Sequence, residues 1–211
     1  MVASDLVLLA GAGDVGRAVL GRLRTRDVPV RAMACRDDER AAQLNWSGLP
    51  VVHIRPTSFL DNPLFTTLAA QSIRENGTIA LPFGNGRTSP IAVDDVARVV
   101  ATVLRDPAPH IGHVYELTGP RAVDMTEMAE EFSRALGRPV SYVDVPLDRW
   151  RAEVLAKADL PPHTEQHIAT MARLHRENRY DRASYDVERV TGVPAQTIEA
   201  FVAARRDFYL G

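Results

Sequence analysis

At 211 residues, with 45% hydrophobic side chains and a formal net charge of −2, the chain has the size of one α/β domain able to bury a core, and not the make-up of a fibre or a disordered tail. Its arginines are scattered rather than clustered, which leaves no electrostatic footprint for nucleic acid or an anionic membrane and points to a small-molecule partner. No apolar run reaches the 18 residues of a membrane span or has the flanks of a signal peptide, and the single Cys35 cannot close an internal disulfide, so a cytoplasmic protein is expected.

Residues 6–10 are a continuous apolar run, the pattern of a strand buried on both faces of a parallel sheet. They lead directly into Gly11-Ala12-Gly13-Asp14-Val15-Gly16. Val15, Val19, Leu20 and Leu23 then recur at helical spacing among Arg17, Arg22, Arg24 and Arg26. A second strand over 28–34 ends in Cys35-Arg36-Asp37-Asp38 and completes a βαβ unit. Next come a short helix over 37–44, a buried strand over 50–54 halted at Arg55-Pro56, and a helix over 62–75 closed by Asn76-Gly77. Residues 78–82 are extended, and Gly84 and Gly86 mark a loop. Asp94 or Asp95 can cap a helix through Leu104, with Val96, Val99, Val100 and Val103 on its apolar face. Residues 114–117 read as a strand, Asp124-x-x-Glu127 as the capping box of a helix that stops at Gly137, and 140–145 as a further strand. From Leu147 onward the pattern is mostly helical and ends in an amphipathic segment over 197–208. Nothing divides the chain, so one domain over 1–211 is expected: an N-terminal βαβ unit over 1–44, the remaining sheet and helices over 45–145, and a helical region over 146–211.

The glycine motif is weak alone, but here it follows a buried strand and opens a helix inside one βαβ unit, which is the context a dinucleotide loop requires. Gly11 permits the tight turn, Gly13 lets the backbone approach a pyrophosphate, and Gly16 lets helix and strand pack closely. The N–H groups at the start of the helix, over Asp14 and Val15, meet the phosphate charge. At the end of the second strand, where the cofactor ribose is read, stands Arg36; a guanidinium pairs with a 2′-phosphate and favours NADP(H) over NAD(H). Asp37 or Asp38 could serve as the acid that reads a 2′-hydroxyl if the strand ends one residue later.

Gly11 to Gly16 with Arg36, Ser47-Gly48-Leu49-Pro50 leading to Ile54-Arg55-Pro56 and Phe59, Pro90-Ile91-Ala92-Val93-Asp94-Asp95-Val96-Ala97, and Tyr115-Glu116-Leu117-Thr118-Gly119-Pro120 occur in one order. In that order they resemble the NmrA-like branch of the atypical short-chain dehydrogenases/reductases, particularly its NADPH-dependent quinone oxidoreductases. The resemblance implies a Rossmann-like parallel sheet flanked by helices, a mostly helical C-terminal substrate region, and Phe59 and Asn62 lining the substrate side. A core aromatic and a helix cap are the alternative readings of those two residues. One departure is large: only ten residues separate Arg36 from Ser47, where the family carries further βα units. Roughly 80 residues are missing from the middle, at about 30 per βαβ unit. Residues 51–54 would then lie next to the first strand, or a partner chain, as in a homodimer, would complete the sheet.

The Tyr/Lys pair of ordinary short-chain dehydrogenases is absent, since Lys157 is the sole lysine and Glu153 precedes it by four. Hydride transfer does not need that pair, because the cofactor carries the chemistry; no catalytic side chain is assigned. His163 and His167 are four apart, but Thr164 stands where a metalloprotease helix needs Glu, and no third ligand follows, so no metal site is expected. His53 reads as a strand residue, Cys35 as a small buried one, and no G-x-S-x-G elbow is present. The expected function is NAD(P)H-dependent reduction of a quinone-like or other small electrophilic acceptor; the alternative is a non-catalytic NAD(P)-binding, redox-sensing or regulatory protein.

Overall fold

The structure, a computed structural model, describes residues 7–10, 18–19, 22, 30–33, 51–157 and 160–211. Its named strands pair in parallel throughout. β1 (Val7–Ala10) lies beside β2 (Val30–Met33), β3 (His53–Pro56) beside β5 (Val114–Leu117), and β4 (Thr78–Leu81) beside β6 (Ser141–Asp144). Parallel neighbours need crossover connections rather than tight turns. The helices supply them: α1 (Thr67–Asn76), α2 (Val93–Arg105) and α3 (Met125–Leu136) fall between strands, and α4 (Leu147–Glu153), α5 (Pro162–Arg176), α6 (Asp186–Thr191), α7 (Ile198–Ala203) and α8 (Arg206–Leu210) form the C-terminal region. This is the expected α/β class, parallel strands flanked by helices. Among the described residues no helix is long and apolar enough to cross a membrane.

Residues 51–54 do not pair with the first strand: β3 forms its ladder with β5, and none joins it to β1 among the described residues. His53 N–H donates to the His113 carbonyl at 3.0 Å and Thr57 N–H to the Leu117 carbonyl at 2.9 Å. Donors alternate along a strand, so Pro56 turns its missing N–H to the other edge and costs this ladder nothing. For the same reason the strand does not halt before Arg55-Pro56 as the sequence suggested, and Pro56 pairs with Leu117.

Two helix starts also differ from expectation. Asn62 folds residues 62–66 into a turn: its Oδ1 accepts from Leu64 N–H, and its carbonyl accepts from Phe65 N–H, Thr66 N–H and Thr66 Oγ1. The helix therefore begins at Thr67. Neither Asp94 nor Asp95 caps α2. Ala92 holds the N-cap, and the Asp61 carboxylate accepts from Val93 N–H at 2.8 Å. Asp94 pairs instead with Arg22. Asp95 is buried and binds Arg98 at 2.6 Å and Gln196 N–H at 2.8 Å, with burial pushing its carboxyl up from the ordinary value.

Other local signals hold among the described residues. In α3, Asp124 accepts from Thr126 and Glu127 N–H while Glu127 accepts from Asp124 N–H, and Gly137 closes the helix with φ 67°. Residues 197–208 divide into α7, capped by Thr197, and α8. The larger core joins α1, β4, α3 and the C-terminal helices through Phe65, Phe83, Phe132, Trp150, Phe201 and Tyr209, all essentially inaccessible. A second cluster of Ile91, Val96, Val99, Tyr115, Leu117 and Val187 fastens α2 and α6 onto β3 and β5. Val19 is buried against Ala97 of α2. The short helix expected over 37–44 lies outside the described residues.

Because the Asp124 carboxylate satisfies two otherwise orphaned N–H groups, Asp124→Ala should lower stability by about 1–2 kcal/mol. Urea unfolding followed by circular dichroism reads this as a lower midpoint at unchanged slope.

Candidate functional site at the carboxyl ends of two strands

In open parallel α/β sheets, ligands bind in the crevice outside the carboxyl ends of the strands. β3 and β5 end side by side, and each is followed by a hydroxyl residue, Thr57 and Thr118. A third segment, Thr88 to Ile91, closes over them. Ile91 N–H donates to the Ser58 carbonyl and Leu60 N–H to the Ile91 carbonyl, both at 2.9 Å, and Gly119 N–H donates to the Ser89 carbonyl at 3.0 Å. The Ser58 and Thr88 hydroxyls share a hydrogen bond of 3.1 Å. The approach at Gly119 is too close for any side chain: a Cβ there would lie 2.4 Å from the Pro90 carbonyl oxygen.

The result is a shelf of buried hydroxyls, Thr57, Ser58, Thr88, Ser89 and Thr118. Four are hydrogen-bonded. Ser89 Oγ bonds the Arg182 carbonyl, and Thr118 Oγ1 accepts from Ser184 N–H at 2.9 Å. Thr57 Oγ1 is the exception: it is buried and has no hydrogen-bond partner among the described residues. An unsatisfied buried hydroxyl is costly in an empty protein and useful to a ligand that satisfies it.

The chain from Arg182 to Asp186 straps this end of β5. Ser184 Oγ bonds the Glu116 carbonyl, and Asp186 accepts from Glu116 N–H at 2.8 Å. On the sheet, Glu116 also meets Arg55 at 3.3 Å. The shelf offers hydroxyls and backbone groups but no ionisable side chain of its own.

Of the residues picked out by sequence, Phe59 and Asn62 come together in the turn after β3, with Asn62 N–H donating to the Phe59 carbonyl at 3.1 Å. Phe59 is half-buried against the core over β3 and β5, and the Asn62 side chain holds the turn. Gly11, Gly13, Asp14, Val15, Gly16, Cys35 and Arg36 lie outside the described residues; β1 ends immediately before that glycine loop, and Ala18 and Val19 after it are helical. His163 and His167 are both exposed on α5, and His53 is half-buried on β3. Among the described residues no group of three His, Cys, Asp or Glu side chains could hold a metal.

Sequence reasoning did not find the shelf. Thr57-Ser58, Thr88-Ser89 and Thr118 lie 30 or 31 residues apart, far beyond any helix or strand period, and what unites them is the parallel pairing of two strands 61 positions apart, as between Arg55 and Glu116. A separate shallow groove of about 350 Å3 lies between α4 and α5, bordered by Leu147, Arg151, Glu165, Ala169 and Arg173. Its arginines are already paired, Arg151 with Glu165 and Arg173 with Glu177. The shelf is the better candidate because its unpaired hydroxyl still has a bond to make.

Comparison with known proteins bears on the same region. The model of the NmrA-like family matches residues 47–203, which excludes the glycine loop and includes every residue of the shelf. An NAD(P)H azoreductase of Xenophilus azovorans is 31% identical over 166 residues, covering 79% of this chain and 56% of the relative. The chain thus spans about half the length of the curated relatives it matches. Among solved structures, an NADPH-dependent quinone oxidoreductase of Escherichia coli superposes with a TM-score of 0.71 at 21% identity, over 95% of this chain and 76% of its own. NmrA, a negative transcriptional regulator solved with NAD, superposes with a TM-score of 0.63 at 17% identity, over 94% and 72%. With the family model spanning most of the chain and the fold agreeing, the chain belongs to the NmrA-like family.

Proposed function

We propose that the protein is an NAD(P)H-dependent oxidoreductase of the NmrA-like type that reduces a quinone-like or other small electrophilic acceptor. The observation that carries this reading is the unpartnered Thr57 hydroxyl, buried on a shelf at the carboxyl ends of β3 and β5. Such a group fits the amide and hydroxyl chemistry of a dinucleotide's nicotinamide half. The cofactor, when bound, supplies the hydride. The protein's part is to hold it: Gly11, Gly13, Asp14, Val15 and Gly16 at the pyrophosphate, Arg36 at the 2′-phosphate of NADP(H), and Thr57 with the neighbouring backbone at the reactive end. Phe59 and Asn62 shape the turn on the substrate side. Hydroxyl and backbone groups can orient a ring and exclude water without exchanging protons, which suits hydride delivery to an acceptor that takes its proton from solvent.

A second reading, a non-catalytic NAD(P)-binding sensor, is favoured by one observation: neither the shelf nor Lys157 provides an acid–base pair, Lys157 standing on an exposed turn after α4. Turnover separates the two. NADPH oxidation assayed with a panel of quinones is expected to be acceptor-dependent, and measurable NADPH binding with no turnover would sink the enzyme reading.

Binding titrations test the residues. Arg36→Ala should cut the preference for NADPH over NADH by about tenfold to a hundredfold, the worth of hydrogen bonds to a charged group; an unchanged preference would remove Arg36 from the 2′-phosphate. Thr57→Val removes the unpaired hydroxyl while keeping the shape. The free variant should be at least as stable in urea as the parent, yet bind NADPH several-fold more weakly. Equal affinity in both proteins would show that the hydroxyl meets no cofactor.

A further inference from the structure

The loop after β4 ends in the Thr88–Ser89 wall of the shelf, and its other side is docked on the end of α5. The residue at that contact is His175, in the last turn of α5 and fully inaccessible. Its ring stacks on Phe83 with centroids 4.1 Å apart and planes 1° from parallel, and Phe65 meets it edge-on at 6.4 Å. Tyr180 covers it at 4.5 Å. Neither ring nitrogen has a hydrogen-bond partner among the described residues.

The loop backbone is fitted to this neutral ring. At Gly86 a Cβ would come within 1.8 Å of the His175 carbonyl oxygen, so loop and helix end touch main chain to main chain. Arg87 N–H donates to Asn178 Oδ1 at 2.7 Å, and Gly84 N–H to Asp144 Oδ1 at 3.0 Å. Asp144 in turn takes both guanidinium nitrogens of Arg176, at 2.8 and 2.9 Å.

We propose that residues 83–87 form a pH-operated latch: the loop is docked while His175 is neutral and leaves the end of α5 when that imidazole gains a proton, loosening the Thr88–Ser89 wall. An imidazolium in this position would be a buried charge with no acceptor for either N–H, and such a charge is relieved by exposure to water. Among the described residues no neighbouring element offers a counter-charge. Phe83 and Phe65 are apolar, and the Tyr180 phenol is held neutral by burial, which raises its pKa. The nearby charges are engaged elsewhere, Arg176 with Asp144, Glu177 with Arg173, and Arg87 with Glu127 and Asp181.

Burial pushes the His175 imidazole down from 6.5 to about 4. The docked loop therefore binds fewer protons than the released one, so docking is at full strength above pH 6.5 and weakens as pH falls toward 4. Across that window the docked-to-released ratio drops by up to about 300-fold. Asp144 does not interfere. Burial works against its charge, but the bonds from Arg176 and Gly84 outweigh it and hold the carboxyl below the ordinary value of 3.8, so it is ionised at pH 5.0 as at pH 7.5.

The latch stands without any cofactor; only its consequence for access to the shelf rests on the reading proposed above. Hydrogen exchange of the intact protein, read as protection factors for the amides of residues 84–88 at pH 7.5 and pH 5.0, tests it directly. We expect protection in the parent protein to fall at least tenfold at pH 5.0 and to stay level in His175→Phe, whose ring can stack but not protonate. Protection that is independent of pH in the parent, or that falls equally in the variant, overturns the latch. If the variant does not fold, the imidazole resonances of the parent decide: titration of His175 below pH 5, in step with the loop amides, supports it. A pKa near 6.5, or loop amides that ignore the titration, overturns it. Neither measurement involves NADPH, so an absence of turnover leaves the latch standing, and loss of the latch leaves the cofactor reading standing.

Discussion

The parallel ladder between β3 and β5 sets where everything else in the described structure can go. Its last bond, from Thr57 N–H to the Leu117 carbonyl, brings the two strand ends level. Past that bond the backbone has no ladder to join, and a buried polar backbone must find partners elsewhere. It finds them in a third segment. Ser58 and Leu60 pair with Ile91, and Gly119 pairs with Ser89. The shelf of hydroxyls is therefore a by-product of satisfying two strand ends in a place that helices α2 and α6 keep dry.

The C-terminal region is part of the same construction. The strap over Arg182 to Asp186 bonds β5 through Ser184 and Asp186, and the chain then returns to α2, where Asp95 holds Gln196 N–H. Glu131, buried on α3, takes Arg121 at 2.7 Å and Glu199 N–H at 3.0 Å. A buried carboxylate is tolerable only when paired and hydrogen-bonded, and breaking such a pair usually costs far more than a surface contact. These two acids thus fix the C-terminal helices to the elements that carry the shelf, much as Asp144 fixes the loop that leads into it.

Much of the local structure was legible in the sequence because its causes are local. A capping box needs residues three apart, and Asp124 and Glu127 are three apart; a left-handed helix stop favours a residue without a Cβ, and Gly77 and Gly137 supply it. The valines of α2 announce their buried face by spacing alone. The misreadings arose where a distant group competed with a near one. Asp94 and Asp95 look like caps, but Asp61, 32 residues away, takes the free N–H of Val93, which releases Asp94 to Arg22 and Asp95 to Arg98 and Gln196. Asn62 begins a turn rather than a helix because its side chain and carbonyl satisfy the N–H groups of Leu64, Phe65 and Thr66 first.

By itself the sequence determined the class of fold, the helix stops and the ordered motifs of the NmrA-like family. Each of these is written in spacing, in composition or in the presence of a residue that alone can adopt a conformation. Tertiary structure decided which edge of β3 is paired, that Pro56 could lie within a ladder, and that five unrelated hydroxyls would meet at one place. It also decided that His175 would be fully buried beneath a loop almost 90 residues earlier in the chain, its ring nitrogens without a hydrogen-bond partner among the described residues. Such outcomes depend on which segments the hydrophobic core draws together, and a residue's own neighbours in sequence do not record which distant partner will arrive.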